Sequence, residues 1–185
     1  MNSVLDGAVC VFRERGYHAT SVGDLSDATG LTAGSLYKAF TDKRGVFLAA
    51  FERYVETRNA ELQRLLERQP DGFHKIRALL RFYAESSHGS EGRRGCLVVA
   101  SATALATFDE EVAGRIEATM RRSEALLRRL LQQGQADGSV AAGLPVAATA
   151  RSLLAFLYGL RLVGKFGRSQ HDMQTAADEA LRILR

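Results

Sequence analysis

This sequence contains only two cysteines and two prolines. The scarcity of cysteine excludes a fold that is held together by disulfide bonds. Two cysteines among 185 residues are too few for a disulfide framework, which indicates a reducing, cytoplasmic compartment. The first residues contain no basic flank followed by an apolar stretch, so we expect no signal peptide. No uninterrupted apolar run approaches the roughly 18 residues of a membrane span, so we expect no membrane partner.

Positive charge is present in slight excess, but it is not gathered at one end. The net charge is +4, whereas residues 1–50 contain five lysines and arginines against five aspartates and glutamates, a balance of 5 − 5 = 0. Pairs such as Arg93-Arg94 and Arg121-Arg122 carry the excess later in the chain. Bulk charge alone therefore does not identify a DNA-binding end.

Apolar residues recur at helical spacing nearly everywhere, and strand-like alternation is rare. The pattern predicts an all-α fold of about nine helices, with three short helices in roughly the first 40 residues and longer ones after them. Asp42, or Thr41 beside it, is expected to cap a long fourth helix that runs to Pro70. "HGSEGRRG" is predicted to be a loop, followed by an apolar helix over 93–107, and the last helix is expected over 172–184.

The stretch "TGLTAGSLYKAF", residues 29–40, places a tight glycine turn between two short helices. This is the helix-turn-helix pattern, in which the second helix stays on the surface so that it can enter the major groove. Its outward residues are small or polar, which lets the backbone approach a duplex. A tight corner of this shape also occurs in helical proteins that never meet DNA, so an all-α ligand-binding or enzymatic bundle remains the alternative.

The run "AVCVFRERGYHATSVGDLSDATGLTAGSLYKAFTDKRGVFLAAF" resembles the N-terminal domain of the TetR family of bacterial transcriptional regulators. The resemblance implies a DNA-binding domain over 1–45 and a helical ligand-binding and dimerisation body over 46–185. It implies that groove-facing positions are occupied by Thr32, Ala33, Ser35 and Lys38, and phosphate-contacting positions by Ser21, Tyr37 and Lys43. It also implies a homodimer, formed by the last two long helices, on a palindromic double-stranded operator.

The expected DNA-binding helix departs from the family in its chemistry. It lacks arginine, asparagine and glutamine, which are the usual bidentate readers of base edges. Family members usually carry a basic extension before the first helix, whereas this sequence starts almost at that helix. With a neutral N-terminal region, these features predict few phosphate contacts and a shallow dependence of DNA binding on salt.

The resemblance also places a small-molecule pocket among the middle helices. The candidate lining residues are Phe82, Tyr83, Cys96, Val99, Thr103, Phe108, Met120 and Leu127. Cys96 follows Arg93 and Arg94 near an expected helix start, a setting that makes a thiol more reactive. Cys96 is therefore a candidate sensor, and the alternative is a small buried residue that packs a helix end.

Small residues in the last two long helices favour close packing between helices, and hence a four-helix dimer interface. They and their apolar neighbours are Ala150, Ala155, Gly159, Ala176, Ala177, Ala180, Leu181 and Leu184. The four histidines are scattered without metal-ligand spacing, and no catalytic motif or cofactor-binding loop appears. We therefore expect no enzyme, metal or cofactor, but a homodimeric repressor released by a small molecule or by modification of Cys96.

Overall fold

The computed structural model describes residues 2–107 and 109–184, apart from the side chain of Asn2, and the regular elements within them are all helical. They are ten α-helices and two 3-10 segments, Gly164–Phe166 and Leu181–Leu184. The all-α prediction is confirmed. The chain packs as two compact units, of which the first contains residues up to Ala60 together with Arg94–Ile116. The second contains Glu61–Arg93 and the chain from Glu117 onward.

An 18-residue helix that is interrupted at Gly16 opens the first unit, and two short helices with local signals at their ends follow it. Ser21 and Asp24 form a reciprocal capping box at the start of the second helix, and Gly30 ends it in the left-handed conformation, with φ 70°. The hydroxyl of Thr32 accepts a hydrogen bond from the backbone N–H of Ser35 and caps the third helix. These helices are α1 (Asn2–Ala19), α2 (Val22–Thr29) and α3 (Ala33–Phe40).

An aromatic cluster forms the centre of the first unit. Phe12 and Phe47 meet edge to face with ring centroids 5.2 Å apart, and Tyr17 meets Phe47 at the same separation. Three further helices contribute to this unit, namely α4 (Lys43–Glu67), α7 (Leu97–Ala104) and α8 (Glu110–Asp137). Both α4 and α8 begin in the first unit and end in the second.

A leucine-rich core holds the second unit together. It joins the ends of α4 and α8 to α5 (Gly72–Glu85), α9 (Val146–Val163) and α10 (Gln170–Ala180). Leu80, Leu127 and Leu131 have no exposed surface. Burying such side chains contributes about 1.5–3 kcal/mol each, so this core is the main source of stability in the unit.

Backbones approach one another closely where α5 ends and α9 ends. A Cβ atom built on Gly164 would lie 2.1 Å from the carbonyl oxygen of Ser87, and one built on Gly92 would lie 2.6 Å from the Ser87 carbonyl carbon. Only glycine leaves room for this contact. Gly92 belongs to a six-residue helix, α6 (Gly89–Arg94), which occupies most of the segment predicted to be a loop. That part of the loop prediction was wrong, because tertiary packing around Gly92 stabilises a turn that composition alone disfavours.

Two other helix boundaries differ from the predictions. The apolar helix expected from residue 93 begins only at Leu97, because Gly95 has φ 79° and Cys96 is extended. The last helix begins earlier than expected, after the capping residue Ser169, and its end is a 3-10 segment. The prediction that Asp42 caps α4 is confirmed by a 2.7 Å hydrogen bond from the Gly45 N–H to its carboxylate.

Helix α9 is the most apolar long helix of the described chain. By length and composition, the window 146–166 reaches the range of a membrane span, although Arg151 and Arg161 interrupt it. A third of that window is buried within the chain, including Leu153, Leu157 and Leu160 in the core of the second unit. Burial against the rest of the chain therefore accounts for one side of this helix.

Candidate DNA-binding interface and effector cavity

The outer surface of α3 is small and polar. All five predicted DNA contacts in and beside it are exposed, while Leu36 is fully buried and anchors the helix to the first unit. The Thr32 and Ser35 hydroxyls lie 3.0 Å apart and share one hydrogen bond. Because each hydroxyl has one proton and two lone pairs, both can form a further hydrogen bond with a ligand at the start of the helix. The exposed positions are Thr32, Ala33, Ser35, Tyr37 and Lys38. A surface built this way allows close approach of another backbone.

Ser21 lies at the start of α2, where its hydroxyl is already engaged. It donates to a carboxylate oxygen of Asp24 at 2.8 Å and accepts from the Asp24 backbone N–H at 3.1 Å. The hydrogen bonds from the Ser21 backbone and side chain lower the pKa of Asp24, and nearby Arg15 adds to this effect. Ser21 is exposed and keeps a free lone pair, so its predicted phosphate contact stays a prediction.

Lys43 has a role that the sequence did not reveal. Its ammonium donates to the carbonyl oxygens of Tyr17, at 3.1 Å, and Thr20, at 3.0 Å, and lies 4.5 Å from the centre of the Tyr17 ring. These contacts tie the start of α4 to the junction between α1 and α2. Lys43 therefore positions the helices around α3, and its predicted phosphate contact stays a prediction.

Most positive side chains of the N-terminal region are already paired inside the first unit. Arg13 is buried and donates to the Gly95 carbonyl oxygen at 2.9 and 2.6 Å, and Arg15 pairs with Asp24. Arg44 and Lys43 are also engaged. Within the described residues up to 50, Lys38 is the one lysine or arginine for which no hydrogen bond or ion pair is seen.

The turn from α3 into α4 is strained and unusually tight. Thr41 has φ 72° and ψ −51°, and the Asp42 N–H donates to the Phe40 carbonyl oxygen at 2.9 Å, which together make a γ-turn of the rare, strained kind. A β-branched residue rarely adopts such a φ. A Cβ atom on Gly45 would lie 1.8 Å from the same Phe40 oxygen. The last turn of α3 is therefore held against the first turn of α4.

A network of ion pairs, here called the ionic clamp, joins the first turns of α4 and α8. Arg44 binds Asp109 through two hydrogen bonds, of 2.6 and 2.9 Å, and also donates to Glu111 at 2.8 Å. Arg115 joins Glu111 to Glu52, each at 3.0 Å. The Arg44 hydrogen bond, with the backbone N–H of Val112, lowers the pKa of Asp109 to about 2. Sequence reasoning missed this cluster.

Cys96 is 7% exposed and follows the Gly95 carbonyl that Arg13 binds. Arg94, one of the two arginines that precede it, pairs with Glu14 at 3.0 Å. Cys10 and Cys96 are both free thiols. Chemical modification needs access to the sulfur, so burial limits any sensor role of Cys96 in this conformation.

The described residues among the eight predicted for the pocket belong to both units. In the second unit, Leu127 is fully buried in the core, Phe82 and Tyr83 pack against that core, and Met120 is half-buried. In the first unit, Val99 is half-buried within α7, and Thr103 of the same helix is exposed. Phe108 lies outside the described residues. Their role in ligand binding stays a prediction.

The second unit contains a cavity of about 260 Å³, and none of the seven described pocket candidates lines it. It lies among the end of α4, the start of α5 and the second half of α8. Three leucines supply apolar surface, and the other lining side chains are polar or charged. The lining residues are Gln63, Leu66, Glu67, Lys75, Leu126, Arg129, Leu130 and Gln133. No group of three histidine, cysteine, aspartate or glutamate side chains that could hold a metal occurs in the described part of the chain.

Two family models match the chain in succession. Residues 4–50 match bacterial regulatory proteins of the tetR family, and residues 72–180 match the tetracyclin repressor-like C-terminal domain. The second match alone spans more than half of the chain. Both halves of the architecture are therefore those that the N-terminal motifs implied.

Individual relatives agree with the family models over nearly the whole chain. The transcriptional repressor ComR of Escherichia coli is 28% identical over 98% of this chain and 87% of its own length. The uncharacterised regulator YezE of Bacillus subtilis is 29% identical over 98% and 94% of the two chains. A triple cysteine variant of the regulator CifR, solved with a 26-base-pair operator duplex, superposes with a TM-score of 0.89, at 28% identity, and the match covers 100% of this chain and 96% of that one. The chain belongs to the TetR family and is a DNA-binding, helix-turn-helix transcriptional regulator.

Proposed function

We propose that the protein is a homodimeric repressor that binds a palindromic operator through α3 and leaves it when a small molecule binds in its helical body. The observation that carries the proposal is the exposed, small and polar face of α3, held in place by Leu36, the γ-turn and Lys43. The similarity to CifR, solved on operator DNA, and to the repressor ComR supports this assignment. Bacterial operators are met in the cytoplasm, which agrees with two free thiols.

Release by a small molecule is favoured over modification of Cys96. The thiol is buried, whereas the cavity of the second unit is open to ligands and has polar groups beside apolar ones. Helix α4, which follows the DNA-binding helix directly, also contributes residues to that cavity. We therefore assign α4 as the lever that connects ligand binding with DNA binding.

The dimer interface is assigned to the outer face of α9. Of the eight residues predicted for this interface, Ala150, Ala177, Leu181 and Leu184 are buried in the chain's own core, so they cannot contact a partner. Exposed apolar side chains extend along the other side of α9 and its 3-10 extension: Leu162 at 50%, Val163 at 39% and Phe166 at 79% exposure. With Ala155 and Gly159 beside them, they offer an apolar surface for close helix packing.

Replacing Ala33 by glutamate is expected to abolish specific DNA binding without unfolding the protein. Ala33 is exposed in the first turn of α3, where a carboxylate suits the positive end of the helix. Against DNA the same carboxylate meets phosphate charge, and like-charge contacts cost several kcal/mol. Fluorescence anisotropy with DNA from the gene's own upstream region should show affinity lower by at least about 100-fold.

Ala125→Glu, at an exposed position in α8, is the matched control and should bind DNA like the parent protein. If Ala33→Glu bound DNA as tightly as the parent protein, α3 would not be the helix that contacts the bases. If the parent protein bound its upstream region no better than scrambled DNA, the operator would not lie there. The alternative, a ligand-binding bundle that does not bind DNA, would then be favoured.

Salt should weaken DNA binding only gently. Each phosphate contact by a cation contributes a slope of about −0.9 to log K against log salt, and each monomer offers one unpaired cation, Lys38, in the described part of its N-terminal region. We expect a slope between about −2 and −4 for the dimer. Lys38→Gln should make that slope shallower by about 2, and Arg122→Gln on α8 should leave it unchanged. A slope steeper than about −6 would show that other cations leave their partners to bind phosphate.

A further inference from the structure

We propose that the cavity of the second unit binds a small organic anion that carries a short apolar group. Two cations and one carboxylate line it, Lys75, Arg129 and Glu67, which gives 2 − 1 = +1. Leu66, Leu126 and Leu130 form the apolar part. Polar side chains beside leucines in one concave site are the arrangement that orients an amphipathic ligand.

Arg129 is the residue that most directly indicates an anion. Three of the other four arginines of α8 pair with carboxylates one turn away: Arg115 with Glu111, Arg121 with Glu117, and Arg128 with Glu124. The fourth, Arg122, donates to the Ala118 carbonyl oxygen. Arg129 forms no such pair with any residue of the described chain. Its guanidinium keeps its donors for an acceptor, and a carboxylate matches that planar fork through two parallel hydrogen bonds.

Gln133, another residue that lines the cavity, orients the ammonium of Lys75. The ammonium donates to the Gln133 side-chain oxygen at 3.0 Å, which uses one of its three N–H donors. The only carboxylate of the lining, on Glu67, accepts from Gln63 at 3.2 Å. The positive charges of Lys75 and Arg129 are thus not neutralised by a direct ion pair with Glu67 in the described structure.

The size of the cavity limits the ligand. At about 260 Å³ it lies just below the range of about 300–1,000 Å³ that holds drug-sized molecules. A monocarboxylate with an apolar chain of a few carbons fits this space, whereas a polycyclic effector does not. Octanoate, an eight-carbon carboxylate, is a suitable probe of this chemistry.

An effect of the anion on DNA binding rests on the proposed function, whereas binding of the anion itself does not. Gln63, Leu66 and Glu67 belong to α4. Helix α8 also lines the cavity and, like α4, begins in the first unit. The ionic clamp joins the first turns of the same two helices. An anion between their later turns therefore contacts both helices that support the DNA-binding end.

Isothermal titration of the full-length protein with octanoate, without DNA, tests the site. We expect saturable binding that is at least about tenfold weaker for octanamide, which has the same shape without the charge. Arg129→Gln and Lys75→Met should each weaken octanoate binding by about tenfold. Glu67→Gln should strengthen it, because it removes the negative charge from the lining and keeps an acceptor for Gln63. Arg122→Gln on the same helix should change nothing.

Three results would overturn the proposal: no saturable binding of octanoate, equal binding of octanamide, or equal binding by Arg129→Gln and the parent protein. Circular dichroism of each variant checks that helical content is kept, and Arg129→Gln carries the test if Lys75→Met fails to fold. Because DNA is absent from this titration, its outcome is independent of the Ala33→Glu experiment. Failure of the anion site is thereby distinguished from failure of the repressor assignment.

Discussion

Gly45→Ala is expected to lower operator affinity by about tenfold or more and to destabilise the protein by about 1–3 kcal/mol. The new methyl group would lie 1.8 Å from the Phe40 carbonyl oxygen, which is a backbone atom and cannot rotate away. Phe40 is the last residue of α3, so relief of the clash must move that helix relative to α4. Anisotropy with operator DNA and thermal unfolding followed by circular dichroism measure the two effects.

Gly114→Ala provides the control. Gly114 lies inside α8, and a Cβ atom built there meets nothing within 4 Å. Alanine should therefore stabilise that helix by up to about 1 kcal/mol and leave DNA binding unchanged. If Gly45→Ala bound operator as well as Gly114→Ala does, the close contact at Phe40 would not be what holds α3 in its binding position.

Leu162→Glu is expected to convert the proposed dimer to monomers and to weaken operator binding by about 100-fold or more. Leu162 is half exposed in the single chain, so a carboxylate there is tolerated by the monomer but would be buried without a partner charge in the interface. Two linked DNA-binding ends gain affinity from each other through high effective concentration, and monomers lose that gain. Sedimentation velocity at micromolar concentration gives the mass, and anisotropy gives the affinity.

Phe166→Glu should act in the same way, since this side chain is 79% exposed in the chain. Ala125→Glu, on another helix, should leave both the mass and the affinity as they are. If Leu162→Glu remained dimeric and unfolded at the same temperature as the parent protein, the interface would not include Leu162.

The parts of the fold that the sequence predicted are those with local signals. Ser21 lies three residues before Asp24, and Thr32 lies three before Ser35, so both caps are visible in short windows. Gly30 ends α2 as expected. These caps made the position of α3 predictable, and its predicted contacts with DNA stay predictions.

The remaining features depend on residues far apart in the sequence. Arg44 and Asp109 are separated by 65 positions, and the Lys43 contacts with Tyr17 and Thr20 span 26 and 23. Spacing along one helix carries no information about such pairs. The strained φ of Thr41 was hidden as well, because threonine does not normally mark a left-handed turn. The cavity was missed for the same reason, since it needs three helices to be placed first.

Nearly all N-terminal cations are paired inside the first unit, and we expect this pairing to affect how the regulator finds its operator in a genome. Sequence-independent attachment to chromosomal DNA is driven by phosphate contacts, and a bacterial chromosome offers millions of competing sites. With one unpaired cation per DNA-binding end in its described part, the protein is expected to bind those sites only weakly. Occupancy of the operator then depends on the ratio of specific to non-specific affinity, which a low charge improves. The cost is a slower first encounter, because less electrostatic steering draws the protein toward DNA.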